Sequence, residues 1–375
     1  MTKNRTIFLD HNATTPLHAD VAAVMQSLYG DPLNASSVHS YGRAAKKWIE
    51  GARANIGALV QASPSAHQVI FTSSGTEANN LAMNGLDEKF IPIVSAIEHV
   101  SVLKANKKAQ ILPVDANGVV RLDALRRMLE NLQGEKALVS VMLANNETGV
   151  IQPVQQVAEL VYAFGGFVHT DAAQAIGKIP VSIQDLNVDM MTISAHKFGG
   201  PQGAAALIIK KGVVLAAQLK GGGQELGYRA GTENVAAIAG FGKAAELVKE
   251  SLARMHAVKA LRDSAEAELK AAGATVFGAE VSRLPNTLSV AMPHMNSETQ
   301  LIAFDLEGIA VSAGSACSSG KVETSHVLKA MQADAALVTN AIRVSLGAGT
   351  APESVSAFVA QWKKLAEQSA KRKAA

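Results

Sequence analysis

An acidic and a basic side chain follow two successive apolar stretches of the sequence. Asp171 comes directly after residues 166–170, and Lys197 comes shortly after residues 189–193. Such stretches are typical of buried strands, and open α/β sheets bind their ligands beyond the carboxyl ends of their strands. A lysine amine at this edge could form an imine with a carbonyl group, and a carboxylate could hold a cation beside it. The alternative is a salt bridge between the two side chains at the sheet edge.

A third feature is the segment Ser73-Ser74-Gly75-Thr76-Glu77, which follows the strand-like residues 69–72. Small hydroxyl and glycine residues at a helix start leave backbone N–H groups free at the positive end of the helix dipole, which suits a phosphate. The same residues would also make an ordinary capped helix with Glu77 in its first turn. The glycine motifs of dinucleotide sites and P-loops are absent from the segment.

Taken together, Lys197, Asp171 and residues 73–77, which we call the phosphate cup, favour a pyridoxal phosphate site over a salt bridge. The lysine would hold the cofactor as a Schiff base, and the cup would take its phosphate. The carboxylate of Asp171 would keep the pyridine nitrogen protonated, so that the ring acts as an electron sink.

The elements that position these residues alternate along the chain. Apolar strands near residues 69–72, 91–95, 137–142, 166–170 and 189–193 are separated by helical patterns. This βαβ order predicts a mostly parallel sheet with helices on both faces. His99, Asn146 and Gln174 also follow strands, so we expect them at the same edge as Asp171 and Lys197.

Composition narrows the class of protein. The chain has 375 residues, of which 48% are hydrophobic and 18% charged, and its net charge is +3. These values favour a large, well-buried enzyme, and the scattered basic residues give no reason to expect nucleic acid as a partner. No apolar run is long enough for a membrane span, and residues 1–5 do not begin a signal peptide. A single cysteine excludes an internal disulfide, so we expect a cytoplasmic protein.

That cysteine, Cys317, lies in the small-residue run 311–320. A lone cysteine is commonly a buried hydrophobe. Its glycine- and serine-rich neighbours instead predict a mobile loop that exposes the thiol, which as a thiolate would be a nucleophile.

Short motifs across the chain resemble those of a known family, in that family's order. They are LDHNATTP (9–16), SGTE (74–77), EH (98–99), NNE (145–147), DAAQ (171–174), SAHK (194–197), GGGQE (221–225), RAGTEN (229–234), GSAC (314–317) and IRVS (342–345). The sequence resembles the pyridoxal-phosphate-dependent cysteine desulfurases of the NifS/IscS type.

The resemblance implies the aspartate-aminotransferase-like α/β fold, known as fold type I. A large domain, residues 16–255, would have a mostly parallel central sheet flanked by helices and would bind pyridoxal phosphate. A smaller α+β domain, residues 1–15 and 256–375, would carry the mobile Cys317 loop. A homodimer is also implied.

The resemblance also implies the site. The catalytic residues would be Lys197, Cys317 and His99. The cofactor-binding residues would be Gly75, Thr76, Asn146, Asp171, Gln174, Ser194, His196, Lys197 and Thr232, and among these Gly75, Thr76, Ser194 and His196 would hold the phosphate. The substrate carboxylate would be bound by Arg343 and Asn146, and an arginine fork suits a carboxylate.

Individual roles follow from the same resemblance. Lys197 would hold the cofactor and move protons, and Asp171 would pair with the pyridine nitrogen. Gln174 would donate to the phenolic oxygen of the cofactor, and His99 would stack on the ring and assist acid–base steps. Thr232 would reach the phosphate across a dimer interface.

The implied reaction converts L-cysteine to L-alanine and leaves a persulfide on Cys317 for a protein acceptor, in iron–sulfur cluster assembly or another thiolation. The chain departs from the family at Leu226 and Tyr228, where many relatives have basic residues, at His11, where asparagine is common, and in its short C-terminal segment after Gly349. Three alternative functions remain open at this point. The protein could catalyse transamination or selenocysteine cleavage on the same fold, or it could be a non-catalytic partner protein.

Overall fold

The computed structural model describes residues 6–314 and 324–374. Its strands are β1 (Ile7–Phe8), β2 (His67–Thr72), β3 (Ile91–Ser95), β4 (Gln110–Leu112), β5 (Ala137–Ser140), β6 (Phe167–Asp171), β7 (Met190–Ser194), β8 (Ala205–Lys210), β9 (Thr275–Val276), β10 (Thr287–Ala291), β11 (Ile309–Ala310) and β12 (Ala341–Ser345). Its helices are α1 (Ala19–Leu28), α2 (Ser40–Leu59), α3 (Gly75–Gly85), α4 (Val100–Leu103), α5 (Leu122–Asn131), α6 (Val154–Ala163), α7 (Ile183–Leu186), α8 (Val235–Ala271), α9 (Ser297–Leu306), α10 (His326–Ala330), α11 (Ala335–Asn340) and α12 (Pro352–Ala374).

Seven strands form the large sheet in the order β2-β8-β7-β6-β5-β3-β4. The neighbours from β7 to β4 pair in parallel, and β8 runs antiparallel to both β7 and β2. The predicted mostly parallel sheet flanked by helices is thus confirmed. Because these strands are parallel, the carboxyl ends of β3, β5, β6 and β7 lie at the same edge of the sheet.

The sheet strands are buried along their length, as sheets covered by helices on both faces require. Every residue of β5 and β7 is buried. On α2, Ile49, Ala52 and Ile56 are buried, whereas the apolar side chain of Trp48 is 41% exposed. Helical periodicity identifies the apolar face of a helix. It does not tell which residues of that face are buried within the chain and which are exposed on its surface.

A second, smaller layer is built from short strands. β10 lies between β12 and β9 in an antiparallel sheet, and β1 pairs in parallel with β11. Helices α8, α9 and α12 surround its core, in which Phe304, Phe358 and Trp362 are fully buried. The N-terminal strand therefore lies with the C-terminal part of the chain.

The long helix α8 contributes to both cores. Phe241 and Val248 belong to the core of the large sheet, whereas Val258 and Leu269 belong to that of the small sheet. This change supports the proposed division of the chain into 16–255 and the remainder, which stays a prediction. Among residues 6–314 and 324–374, no helix combines the length and the apolar composition needed to cross a bilayer.

Candidate functional site

Lys197 ends a single 3-10 turn, Ala195–Lys197, that directly follows β7. Its amine donates hydrogen bonds to the backbone carbonyls of Asn12, at 2.8 Å, and Ala13, at 2.9 Å. Burial and the nearby Arg343 cation lower the pKa of Lys197 from 10.5 to about 8, although Asp171 and Asp10 act in the opposite direction. About one tenth of this amine is therefore neutral and nucleophilic at pH 7, far more than of an ordinary lysine.

Asp171 is the last residue of β6, on the strand adjacent to β7. Its carboxylate accepts hydrogen bonds from the Asn79 side chain, at 2.8 Å, and from the Ala173 backbone N–H, at 2.9 Å. Only 8% of Asp171 is exposed. Asp171 and Lys197 thus meet at one sheet edge and interact electrostatically, without a direct ion pair among the described contacts. The carboxylate keeps lone pairs available for a cationic partner.

The predicted phosphate cup lies at the start of α3. Ser74 caps this helix by accepting from the Glu77 backbone N–H at 3.2 Å, so the capped-helix interpretation is also correct. The N–H groups of Gly75 and Thr76 belong to the first turn, where a helix offers no internal acceptor. A Cβ on Gly75 would lie 3.7 Å from that of Ser194, so the end of β7 closes one side of the cup.

Glu77 anchors the segment before α8 to this cup. Arg229 donates to its carboxylate at 2.8 Å, and the Ser73 backbone N–H donates to it at 2.9 Å. Thr232 follows Arg229 on the same segment and is exposed. Its predicted role across a dimer interface stays a prediction.

His99 caps α4, and its Nδ1 accepts from the Ser101 backbone N–H at 3.2 Å. The Ser101 hydroxyl also contacts Nδ1, at 2.7 Å, and accepts from Asn79 at 2.9 Å. Because Nδ1 is an acceptor, the proton of the neutral ring lies on Nε2. Burial lowers the pKa of His99, with Asp171 opposing and Lys197 adding to the effect, so the ring is neutral at pH 7.

Glu98, the preceding residue, is a fully buried carboxyl. It accepts from the Ser95 hydroxyl and from the Met142 backbone N–H, each at 2.6 Å. Burial raises its pKa to about 8, so this carboxyl is mostly protonated at neutral pH. It therefore adds little negative charge to the edge that Asp171 occupies.

Arg343 projects from β12 in the small sheet towards the end of β5. It donates to Asp10 Oδ1 at 2.7 Å and to the backbone carbonyl of Asn146 at 3.0 Å. Its Nε is buried and has no partner among the described residues. A buried guanidinium with an unused donor can bind a carboxylate ligand by donating to it. Its contact with Asn146 brings the two predicted carboxylate-binding residues together.

Gln174 and His196 complete the described part of the site. The Gln174 amide donates to the backbone carbonyl of Asn12 at 2.9 Å. His196 Nδ1 lies 3.2 Å from the Thr14 hydroxyl, and burial, together with Lys197, lowers its pKa to about 4. Cys317 lies outside the described residues.

Three buried polar residues beside the site were not predicted from the sequence: Asn12, Asn79 and Lys178. Asn12 is 1% exposed; its backbone carbonyl accepts from Lys197 and Gln174, and its side-chain Oδ1 accepts from Lys178. Asn79 lies one turn into α3 and bridges Asp171 and Ser101. A polar residue on an otherwise apolar helix face was the available signal for Asn79.

Three features of this structure show that the residues of the site are suited to binding pyridoxal phosphate. The half-buried Lys197 amine has a lowered pKa, the Asp171 carboxylate is oriented by two donors, and the first turn of α3 offers free N–H groups against Ser194. Within residues 6–314 and 324–374, no group of three or more histidine, cysteine or acidic side chains could hold a metal ion.

Comparisons with known proteins agree with this geometry. A profile of the family described as aminotransferase class-V matches residues 7–358. A cysteine desulfurase of Sinorhizobium fredii is 42% identical over 367 residues, which cover 94% of each chain. Cysteine desulfurase IscS of Dictyoglomus turgidum is 39% identical over 369 residues, which cover 94% of this chain and 92% of that protein.

Solved structures show the same likeness. A NifS-like protein from Rickettsia africae superposes with a TM-score of 0.90 and 36% identity, covering 97% of this chain and 100% of that chain. The resemblance inferred from short motifs is confirmed, and so is the dependence on pyridoxal phosphate that class-V aminotransferases and cysteine desulfurases share. This chain belongs to the class-V aminotransferase family.

Proposed function

We propose that this chain is a pyridoxal-phosphate-dependent cysteine desulfurase, which removes sulfur from L-cysteine, releases L-alanine and leaves a persulfide on Cys317. One observation carries the proposal: the half-buried Lys197 amine and the Asp171 carboxylate lie just beyond adjacent parallel strands, beside free N–H groups at the start of α3. Relatives of about 40% identity across most of the chain are named cysteine desulfurases, which supports the same activity.

The described residues divide the work of the reaction. When bound, pyridoxal phosphate supplies an electron sink that stabilises negative charge on the substrate α-carbon. Asp171 holds the pyridine nitrogen protonated, and Gly75 and Thr76 bind the phosphate. Arg343 binds the substrate carboxylate with Asn146. Lys197, with its pKa lowered to about 8, takes and returns a proton near neutral pH.

Sulfur transfer is assigned to Cys317. Its thiolate attacks the sulfur of the substrate, an S–S bond forms, and the bond between sulfur and the substrate β-carbon breaks. The electron pair of that bond stays with the substrate and takes up protons, which yields alanine without any external oxidant. The product on the enzyme is the persulfide.

The described residues on either side of Cys317 support its closeness to the site. Gly314 packs against the Glu147 carboxylate, where an added Cβ would lie 3.3 Å from Oε2. The Ser325 hydroxyl donates to the same oxygen at 2.5 Å. Glu147 directly follows Asn146 in the loop after β5. An extended chain covers only about 10 Å over the three residues from Gly314 to Cys317.

We also propose a homodimer that acts in the cytoplasm and passes sulfur to a protein acceptor, for iron–sulfur cluster assembly or another thiolation. Val38, Tyr41 and Trp48 expose apolar surface on and beside α2, which supports an interface there. Exposure of Thr232 is consistent with a role in the partner's site.

The test measures sulfide and alanine together. The cofactor-loaded protein receives L-cysteine and a thiol reductant, and we expect equal amounts of both products. Lys197→Ala should yield neither product, while Lys363→Ala, which alters an exposed ion pair with Glu268, should match the wild type. Cys317→Ser should retain the visible absorbance of the cofactor but release no sulfide. Alanine without sulfide, or undiminished sulfide from Cys317→Ser, would overturn the proposal.

A further inference from the structure

Lys178 is a buried lysine for which the proposed chemistry has no use. Only 6% of it is exposed. Its amine donates to two amide oxygens, Oε1 of Gln174 at 2.6 Å and Oδ1 of Asn12 at 3.0 Å. Among the described ion pairs of residues 6–314 and 324–374, none includes Lys178. Buried lysines without a counterion are uncommon, so the burial of Lys178 calls for a structural or functional explanation.

The surroundings of Lys178 disfavour the charged form of its amine. Burial lowers its pKa well below the ordinary lysine value, and the cations of Lys197 and Arg343 act in the same direction. The amine donates to Gln174 and to Asn12, and both acceptors are uncharged amide oxygens. The side chain therefore acts as a fixed pair of hydrogen-bond donors.

Those two contacts determine how the Gln174 amide is turned. Its Oε1 faces Lys178, so its NH2 group faces the Asn12 carbonyl, which also accepts from the Lys197 amine at 2.8 Å. If the amide turned over, the Lys178 donor would face an NH2 group and two carbonyl oxygens would face each other. Both contacts would be repulsive in a buried site.

Asn12 is fixed as firmly as Gln174. Its Oδ1 also accepts from Asn286 at 3.1 Å, and its Nδ2 donates to Thr287 at 2.9 Å. Because these hydrogen bonds fix the side-chain amide of Asn12, its contact with Lys178 also fixes the position of the Lys178 amine. The Lys178 amine can therefore orient the side-chain amide of Gln174. The chain Asn12–Lys178–Gln174 is thus one connected network.

We propose that Lys178 is a positioning residue of the desulfurase reaction, which presents the NH2 group of Gln174 on the side of the network where Lys197 lies. The inference rests on the proposed function, in which Gln174 donates to the phenolic oxygen of the cofactor. Lys178 itself does not touch the reacting atoms and acts only through the amide.

The test is a pH titration of the visible absorbance of the cofactor-loaded protein. A donor to the phenolic oxygen stabilises its anionic form, so losing that donor raises the midpoint. Lys178→Met keeps the size of the side chain and removes both donors. We expect its midpoint to rise by about one pH unit, a tenfold change in proton affinity and the size of one hydrogen bond to a charged group.

A double-mutant cycle separates positioning from a general structural effect. Gln174→Ala should raise the midpoint by a similar amount, and adding Lys178→Met to it should change nothing further. Lys363→Ala controls for loss of a lysine elsewhere and should leave the midpoint unchanged. If Lys178→Met does not fold, Lys178→Leu, which also has no hydrogen-bond donor, goes through the same cycle with the same expectation.

The outcomes distinguish this inference from the proposed function. A wild-type protein that gains no visible band with pyridoxal phosphate would overturn the proposed function, and the inference with it. A normal wild-type band with an unchanged midpoint in the Lys178 variant would overturn the inference alone. Shifts that add in the double variant would also overturn it, because Lys178 would then act without Gln174.

Discussion

The lowered pKa of Lys197 can be measured directly in cofactor-free protein. Its value falls from the ordinary 10.5 to about 8, a difference of about 2.5 pH units. At pH 8 about half of the amine is then neutral, whereas an ordinary lysine would be about one part in 300 neutral. Lys197 should therefore react with a carbonyl compound at pH 8 on the order of a hundred times faster than an exposed lysine does.

Two substitutions should move this pKa in opposite directions. Arg343→Met removes a cation that disfavours the protonated amine, so the pKa should rise. Asp171→Asn removes a carboxylate that favours the protonated amine, so the pKa should fall. Below its pKa the amine is protonated and unreactive, so the reactive pH range narrows in the first variant and widens in the second.

The assay uses pyridoxal, which lacks the phosphate and therefore reports on the amine without help from the α3 cup. Adducts formed from pH 6 to 10, a range chosen to bracket the expected value, are reduced with borohydride and located by peptide mass spectrometry. The pH midpoint of labelling at Lys197 gives its pKa, and the exposed Lys363 provides an internal reference. Labelling of Lys197 that is still rising at pH 10, as for an ordinary lysine, would show that its pKa is not lowered, and shifts of the same sign in both variants would contradict the assigned causes.

Two further predictions concern stability. Glu225 is buried and accepts from Arg53 at 2.8 and 3.0 Å, so Glu225→Gln should cost about 3 kcal/mol in urea unfolding, and a loss below about 1 kcal/mol would contradict this role. Gly347 packs on the His11 ring, where an added Cβ would lie 2.2 Å from the ring, so Gly347→Ala should lose about 1–3 kcal/mol. Gly349→Ala meets nothing within 4 Å and is the matched control; equal losses in both variants would contradict the packing argument.

The sequence was sufficient to predict the edge of the sheet at which the site lies. Asp171 and Lys197 each follow an apolar strand, and parallel strands bring their carboxyl ends together. The prediction depends only on local patterns and one rule of topology. The reversed strand β8 did not disturb it, because β8 pairs on the far side of β7 from β6.

The network behind the site could not be predicted in the same way. Lys178 contacts Asn12 across 166 residues of sequence, and Lys197 contacts it across 185. No periodicity encodes contacts between a turn near the N-terminus and loops after β6 and β7. Lys178 in particular follows a glycine in a loop, where a sequence pattern favours a solvated side chain over a buried one.

The central claim is that the sulfur of L-cysteine moves to Cys317. The most direct measurement is a single turnover of cofactor-loaded protein with L-cysteine and no reductant, followed by mass spectrometry of the peptide that contains Cys317. We expect one added sulfur atom on that peptide and one alanine released for each, with neither in Lys197→Ala. Alanine formed without added sulfur on Cys317 would contradict it.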